Sequence, residues 1–71
     1  MPTTVTVKNV LHDHGTRTGQ WSVEVGGVER SRHRKKDVAI RRARQAARGA
    51  APAVLKIQDT RGHWRTEATY G

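Results

Sequence analysis

The chain has no cysteine and no phenylalanine, only two prolines, and three aromatic residues in all: Trp21, Trp64 and Tyr70. Without cysteine, no disulfide braces the fold and no thiolate holds a metal. The same absence fits a reducing compartment, so a cytoplasmic protein is expected. The opening MPTTVTVKNV has neither the basic start nor the apolar run of a secretory leader. No apolar stretch approaches the roughly 20 residues that cross a bilayer, so no membrane partner is expected. Without phenylalanine, the bulk of any core must come from Trp21, Trp64, Tyr70, Leu11, Leu55, Ile40 and Ile57, with valine and alanine filling the rest. For 71 residues, one domain over 1–71 is expected. So thin a core predicts modest stability as a monomer, or support from a homodimer.

Acidic residues are also scarce. Six Asp and Glu stand against 14 Lys and Arg, a net charge of +8. A field of that strength on a small chain favours a polyanionic partner. Two further readings stay open, an acidic protein partner and charge that serves solubility alone. Arginines beside abundant Ala, Gly and Val also fit the codon bias of a GC-rich genome.

Residues 3–11, TTVTVKNVL, alternate β-branched residues and read as a first strand. HDHGTRTG, with Gly, Asp and Thr and no periodicity, reads as a loop. Residues 20–25 and 28–33 form a hairpin about Gly26-Gly27. A strict two-residue turn sets Glu24 against Glu29, an unfavourable pair. A bulge at Gly27, which sets Glu24 against Val28 and Ser22 against Arg30, is therefore the preferred register. From Asp37 the period becomes helical, with Ala39, Ile40, Ala43, Ala46, Ala47 and Ala50 as an apolar stripe. Gly49 and Pro52 end the helix. AVLKIQD is a strand, DTRG a turn with Gly62 at positive φ, and HWRTEATYG a last strand. In it, Trp64 and Tyr70 share a face and are assigned to the core, as is Trp21. The order β-β-β-α-β-β predicts an α+β fold: an antiparallel sheet of two hairpins plus an N-terminal strand, one helix packed on one face.

These residues carry a resemblance. Gly19, Trp21, Val23, Gly27, Arg30, Lys36, Ala39, Ala43, Ala47, Asp59, Gly62, Tyr70 and Gly71, in this order, resemble the family called domain of unknown function 2188 over about residues 19–71. The family comprises short bacterial and phage proteins. The resemblance implies the α+β fold and a phage or bacterial setting, with no known function. Two departures stand out. The family usually starts its helix with Thr-Lys, whereas this chain has Lys35-Lys36, which removes a capping hydroxyl unless Ser31 or Asp37 substitutes. The family also tends to have an aliphatic residue where Trp64 stands. Residues 19–47 are in addition similar to the arm-binding domains of phage-type integrases, which lay a three-stranded sheet in the major groove and lack the two strands after the helix.

Little else suggests chemistry. His12, Asp13 and His14 are too few for zinc without His33 and His63, and read as loop residues. Ser22 and Ser31 lie in strands without a recognisable histidine–acid arrangement or a glycine elbow. No glycine-rich phosphate loop precedes the helix. No enzyme, cofactor or metal is expected. The basic residues remain. Arg30, Arg32 and Arg34 alternate, so one strand face is expected to present them beside Lys35 and Lys36. Arg41, Arg44 and Arg48 form a second basic face on the helix, pointing the opposite way. The expected function is binding of nucleic acid, foremost duplex DNA, through phosphate contacts with little sequence choice. Arg30, Arg32, Arg34, Lys35 and Lys36 are the first candidates. The alternative is an accessory protein that binds another protein through an open sheet edge or exposed aromatics.

Overall fold

The alternating β-branched residues of the N-terminal segment do form a strand, and the other elements follow in the expected order. The computed structural model describes residues 2–71. The elements are β1 (Thr3–Leu11), β2 (Arg17–Val25), β3 (Val28–His33), α1 (Lys36–Gly49), β4 (Ala53–Gln58) and β5 (Trp64–Tyr70). They make an α+β fold with one helix and one five-stranded sheet in the order β3-β2-β1-β4-β5. The sheet is mixed, which corrects the antiparallel expectation. β1 and β4 pair in parallel at its centre, with Val5 beside Leu55 and Val7 beside Ile57. The cause is the helical connection. β3 lies at one edge, and α1 carries the chain back past β2 and β1, so β4 enters beside β1 in the same direction. Parallel neighbours require such a crossover, whereas hairpins cannot supply one. The other pairings are antiparallel.

Valine alternation selects the core. Val5, Val7, Trp21, Val23, Ala53, Leu55 and Ile57 form one buried cluster with Ala39, Ala43 and Ala47 of α1. The helix stripe is alanine where it is deepest, so its backbone can approach the strands closely. Ile40 and Ala46 flank it half-buried. Trp21 is 7% exposed, as its alternation with Val23 and Val25 predicts. The strand residues between these core positions point away from the cluster: Thr4, Thr6 and Lys8 on β1, Ser22 and Glu24 on β2, Lys56 on β4. That open side is mostly polar, so it offers no broad apolar face for a second copy to cover.

Two bulges revise the side-chain assignments. The β2–β3 hairpin closes through a strict two-residue turn, with Gly26 at φ 60° and Gly27 at φ 85° and Val25 opposite Val28. Consecutive left-handed residues are what such a turn requires, and glycine adopts them without steric cost. Glu24 therefore faces Glu29, against the expected register. Two hydrogen bonds relieve the repulsion: the Ser22 hydroxyl (2.8 Å) and Arg32 Nε both donate to Glu29 Oε1. The bulge lies further along, where Arg30 is the extra residue between Glu29 and Ser31. In β5 a second shift leaves Glu67 without a partner between Thr66, opposite Lys56, and Ala68, opposite Leu55. Trp64 and Tyr70 consequently turn to opposite faces. Tyr70 packs against the core, and Trp64 is 46% exposed on the open side. The core assignment of Trp64 fails for this reason.

The start of β2 also comes earlier than expected, at Arg17. Its register against β1 shifts between Asn9 and Leu11. There the Thr18 hydroxyl donates to the Val10 carbonyl (2.9 Å) and accepts from the Gln20 N–H (3.1 Å), replacing regular ladder bonds.

The helix start has no side-chain cap: the N-cap position is Lys35, and neither Ser31 nor Asp37 substitutes. The Ser31 hydroxyl instead lies 2.9 Å from His33 Nε2. A capping hydroxyl contributes about 1 kcal/mol. Lys35→Thr is therefore expected to raise the melting temperature by roughly 4–8 °C in a domain of this size, read by circular dichroism. An unchanged melting temperature would mean that the helix N–H groups are already satisfied.

Candidate nucleic-acid interface

Strand directions decide where charge collects. β1 ends at Leu11 opposite Arg17, β3 ends at His33 opposite Trp21, and Gln58 of β4 faces Trp64. α1 begins three residues beyond His33, after Arg34 and Lys35. One end of the sheet thus gathers the 12–16 loop, the 59–63 turn and the helix start. Arg17, Arg34, Lys35, Lys36, Arg61 and all four histidines are placed there. The opposite end carries the Gly26-Gly27 turn and the residues around Pro52.

Arg30, Arg32 and Arg34 do not form one row. Arg32 lies across from Ser22 and is ion-paired with Glu29. Arg30 sits in the bulge, and Arg34 lies beyond the end of β3. The structure brings Arg34 together with Lys35 and Lys36 in a short corner between β3 and α1. Arg34 and Lys35 are exposed; Lys36 is half-buried, its Nζ 5.0 Å from the centre of the Trp21 ring. A cation over an indole face is attracted by the ring quadrupole, which fixes the first helical residue onto the core. Among the described residues no carboxylate pairs with Arg30, Arg34, Lys35 or Lys36.

The corner is also electrostatically strained. The N-terminal end of a helix is its positive pole, so acids there stabilise and cations do not. Here Lys35 and Lys36 occupy that pole, with Asp37 the acid of the first turn. An anion placed there would meet both the free N–H groups and the side-chain cations.

The helix face is different. Arg41, Arg44 and Arg48 are all exposed, and Arg44 reaches Glu67 on β5 at 3.3 Å. Glu67 is shared with Arg65 at 3.4 Å. The bulge in β5 makes this possible by freeing Glu67 from the ladder.

Two carboxylates are held below their ordinary range. Glu29 is lowered first by the hydrogen bond from Arg32 and then by that from Ser22. Asp59 is lowered chiefly by the His63 N–H, with the Arg61 N–H, His63 and Lys36 also contributing. Depressed folded values mean stability that is complete above the ordinary values and lost as pH falls through the lowered ones. Thermal melts are thus expected to weaken on acidification below about pH 4. Asp59→Asn should flatten that dependence; an unchanged acid limb would show that other carboxylates set it.

The histidines do not assemble a metal centre: among the described residues no group of three or more His, Asp or Glu could hold an ion. His12 and His14 stack edge to face at 5.2 Å. No helix among the described residues is long and apolar enough to cross a membrane.

Sequence reasoning missed the basic residues Arg17 and Arg61. Arg17 opens β2 and Arg61 lies in the 59–63 turn, 44 positions apart. Only the parallel β1–β4 pairing, invisible in local patterning, sets those two segments at one end of the sheet.

The family model described as "Uncharacterized protein conserved in bacteria (DUF2188)" matches residues 10–70. The match runs from the end of β1 through the whole of β5. No curated protein matches the chain. No solved structure matches it either.

Proposed function

The chain belongs to the bacterial family of domain of unknown function 2188, whose members' role is uncharacterised, and we propose that this one is a cytoplasmic nucleic-acid-binding protein without catalytic activity. Its partner is duplex DNA held through phosphates with little sequence choice. The observation that carries this reading is the corner between β3 and α1. There Arg34, Lys35 and Lys36 stand without carboxylate partners at an uncapped helix start. Arg30 extends the same charge along the edge strand. Such cations neutralise phosphates and release counterions, a gain that does not depend on base sequence. Arg32 contributes less than its position in sequence implies, because Glu29 already holds it. Arg41 and Arg48 keep the helix side solvated. The test is direct: purified protein should retard a random duplex of about 20 base pairs at roughly 50 mM salt. Absence of any shift there would overturn the reading.

Exposed Trp64 and Leu11 favour a second reading, a phage or bacterial accessory protein that docks a protein partner. In that case Trp64→Ala abolishes capture of the partner and leaves duplex retardation untouched. β3 and β5 are also sheet edges, and an unpaired edge can template a second copy. A homodimer at micromolar concentration is the expected form. Light scattering that stays at 7.9 kDa across a hundredfold range of concentration would contradict it.

A further inference from the structure

At the same end of the sheet as the helix start, the loop between β1 and β2 and the turn between β4 and β5 flank an open cleft of about 250 Å³. Arg17 at the start of β2 and Arg61 in the 59–63 turn both line it, together with Asn9, Gln58 and Thr60. No acidic side chain lines it. Asp59, the nearest carboxylate in sequence, is turned into its own loop. Its Oδ1 accepts from the Arg61 N–H (2.8 Å) and the His63 N–H (2.9 Å). Among the described residues neither Arg17 nor Arg61 has a carboxylate partner.

The walls are fixed by hydrogen bonds. Gln58 ties them together: its Oε1 accepts from the Asn9 N–H (2.9 Å), and its Nε2 donates to the Gly62 carbonyl (3.1 Å). The opposite loop is closed by His12 N–H to the Thr16 carbonyl (2.7 Å) and Gly15 N–H to the His12 carbonyl (2.8 Å). A cleft whose backbone is set in advance loses less entropy on binding. Two guanidinium forks and a hydroxyl, with no opposing carboxylate, suit a tetrahedral dianion, since arginine pairs with phosphate oxygens two at a time.

We propose that Arg17 and Arg61 grip a single phosphate group in this cleft. The inference deepens the reading above, on which it rests for the source of the phosphate, the backbone of the bound duplex. The cleft lies at the same end of the sheet as Arg34, Lys35 and Lys36, and extends that contact around the end of β1. A free phosphomonoester offers the same chemistry, and the experiment separates the two.

Three measurements use the whole chain. The first is duplex affinity against salt for the wild type and for Arg17→Gln/Arg61→Gln, with circular dichroism showing that the variant is folded. The second titrates the wild type with inorganic phosphate and a phosphomonoester, following the backbone amides of Gly15, Arg61 and Gly62 by NMR. The third repeats the NMR with duplex. The variant is expected to bind duplex on the order of tenfold more weakly. Its salt slope should fall by about 0.9, the value for one shared phosphate, and not by the ~1.8 of two separate ones. Cleft amides should move with duplex. If the wild type binds duplex and the variant binds equally well with the same slope, the cleft proposal is wrong and the reading stands. If duplex does not bind yet either small anion moves the cleft amides, the reading fails and the site belongs to a free phosphate ligand. If neither ligand moves them, the cleft is not a phosphate site, whatever the variant's stability.

Discussion

Trp21→Ala is expected to lose about 3–5 kcal/mol of folding stability, a large part of the total. Trp21 is the bulkiest member of the buried cluster, in a core otherwise made of aliphatic side chains. Large-to-small truncation of a buried aromatic costs about 3–5 kcal/mol, from lost transfer energy and the cavity left behind. A chain of 71 residues has total stability of roughly 4–10 kcal/mol. The variant therefore loses a large fraction of what holds it together. No disulfide limits the damage. The loss also removes the indole beneath Lys36 and loosens the helix start. Urea denaturation followed by circular dichroism reads the result. Trp21→Phe keeps most of the volume and should fold, with a smaller loss. A melting temperature within about 5 °C of wild type for Trp21→Ala would show that the core does not depend on this side chain.

The second large effect concerns binding. Arg34→Gln/Lys35→Gln/Lys36→Gln and Arg41→Gln/Arg44→Gln/Arg48→Gln each remove three charges, so net charge falls equally in both. If binding followed net charge alone, the two variants would behave alike. Phosphate contacts at the corner predict otherwise. The corner variant should lose about 2.7 from its salt slope and on the order of a hundredfold in affinity at low salt. The helix variant should change little beyond the screened long-range field, which decays over about 8–10 Å at physiological salt. It also breaks the Arg44–Glu67 contact, but exposed ion pairs contribute at most about 1 kcal/mol, so it should remain folded. A larger loss in the helix variant would move the contact surface to α1.

Much of this architecture was legible in local pattern. β1, α1 and the turn at Gly62 follow from alternation, from alanines at three- and four-residue steps, and from a glycine where φ is positive. What local pattern could not carry was register. Glu24 opposite Glu29 looked forbidden because the pairing rule counts only the two carboxylates, whereas Ser22 and Arg32 reach Glu29 from the neighbouring positions of the same face. The bulge at Glu67 leaves no mark in a strand whose residues alternate plausibly either way, so alternation alone places Trp64 in the core. The parallel β1–β4 pair depends on where a whole helix returns the chain. Three features of register and topology set the basic surface. The bulge at Arg30 breaks up the arginine row, Glu29 occupies Arg32, and the parallel pair gathers the basic loops at the helix start. Arg34, Lys35 and Lys36 were found by sequence because they are contiguous. Arg17 and Arg61 were not, because only topology makes them neighbours.

The most direct test of the central claim is the affinity of the unmodified protein for a random duplex measured from about 50 to 200 mM salt. Four to five phosphates neutralised at about 0.9 each predict a straight line of log affinity against log salt, with a slope between about −3.6 and −4.5. A slope near zero would mean that the basic surface does not hold phosphates, and would contradict the account.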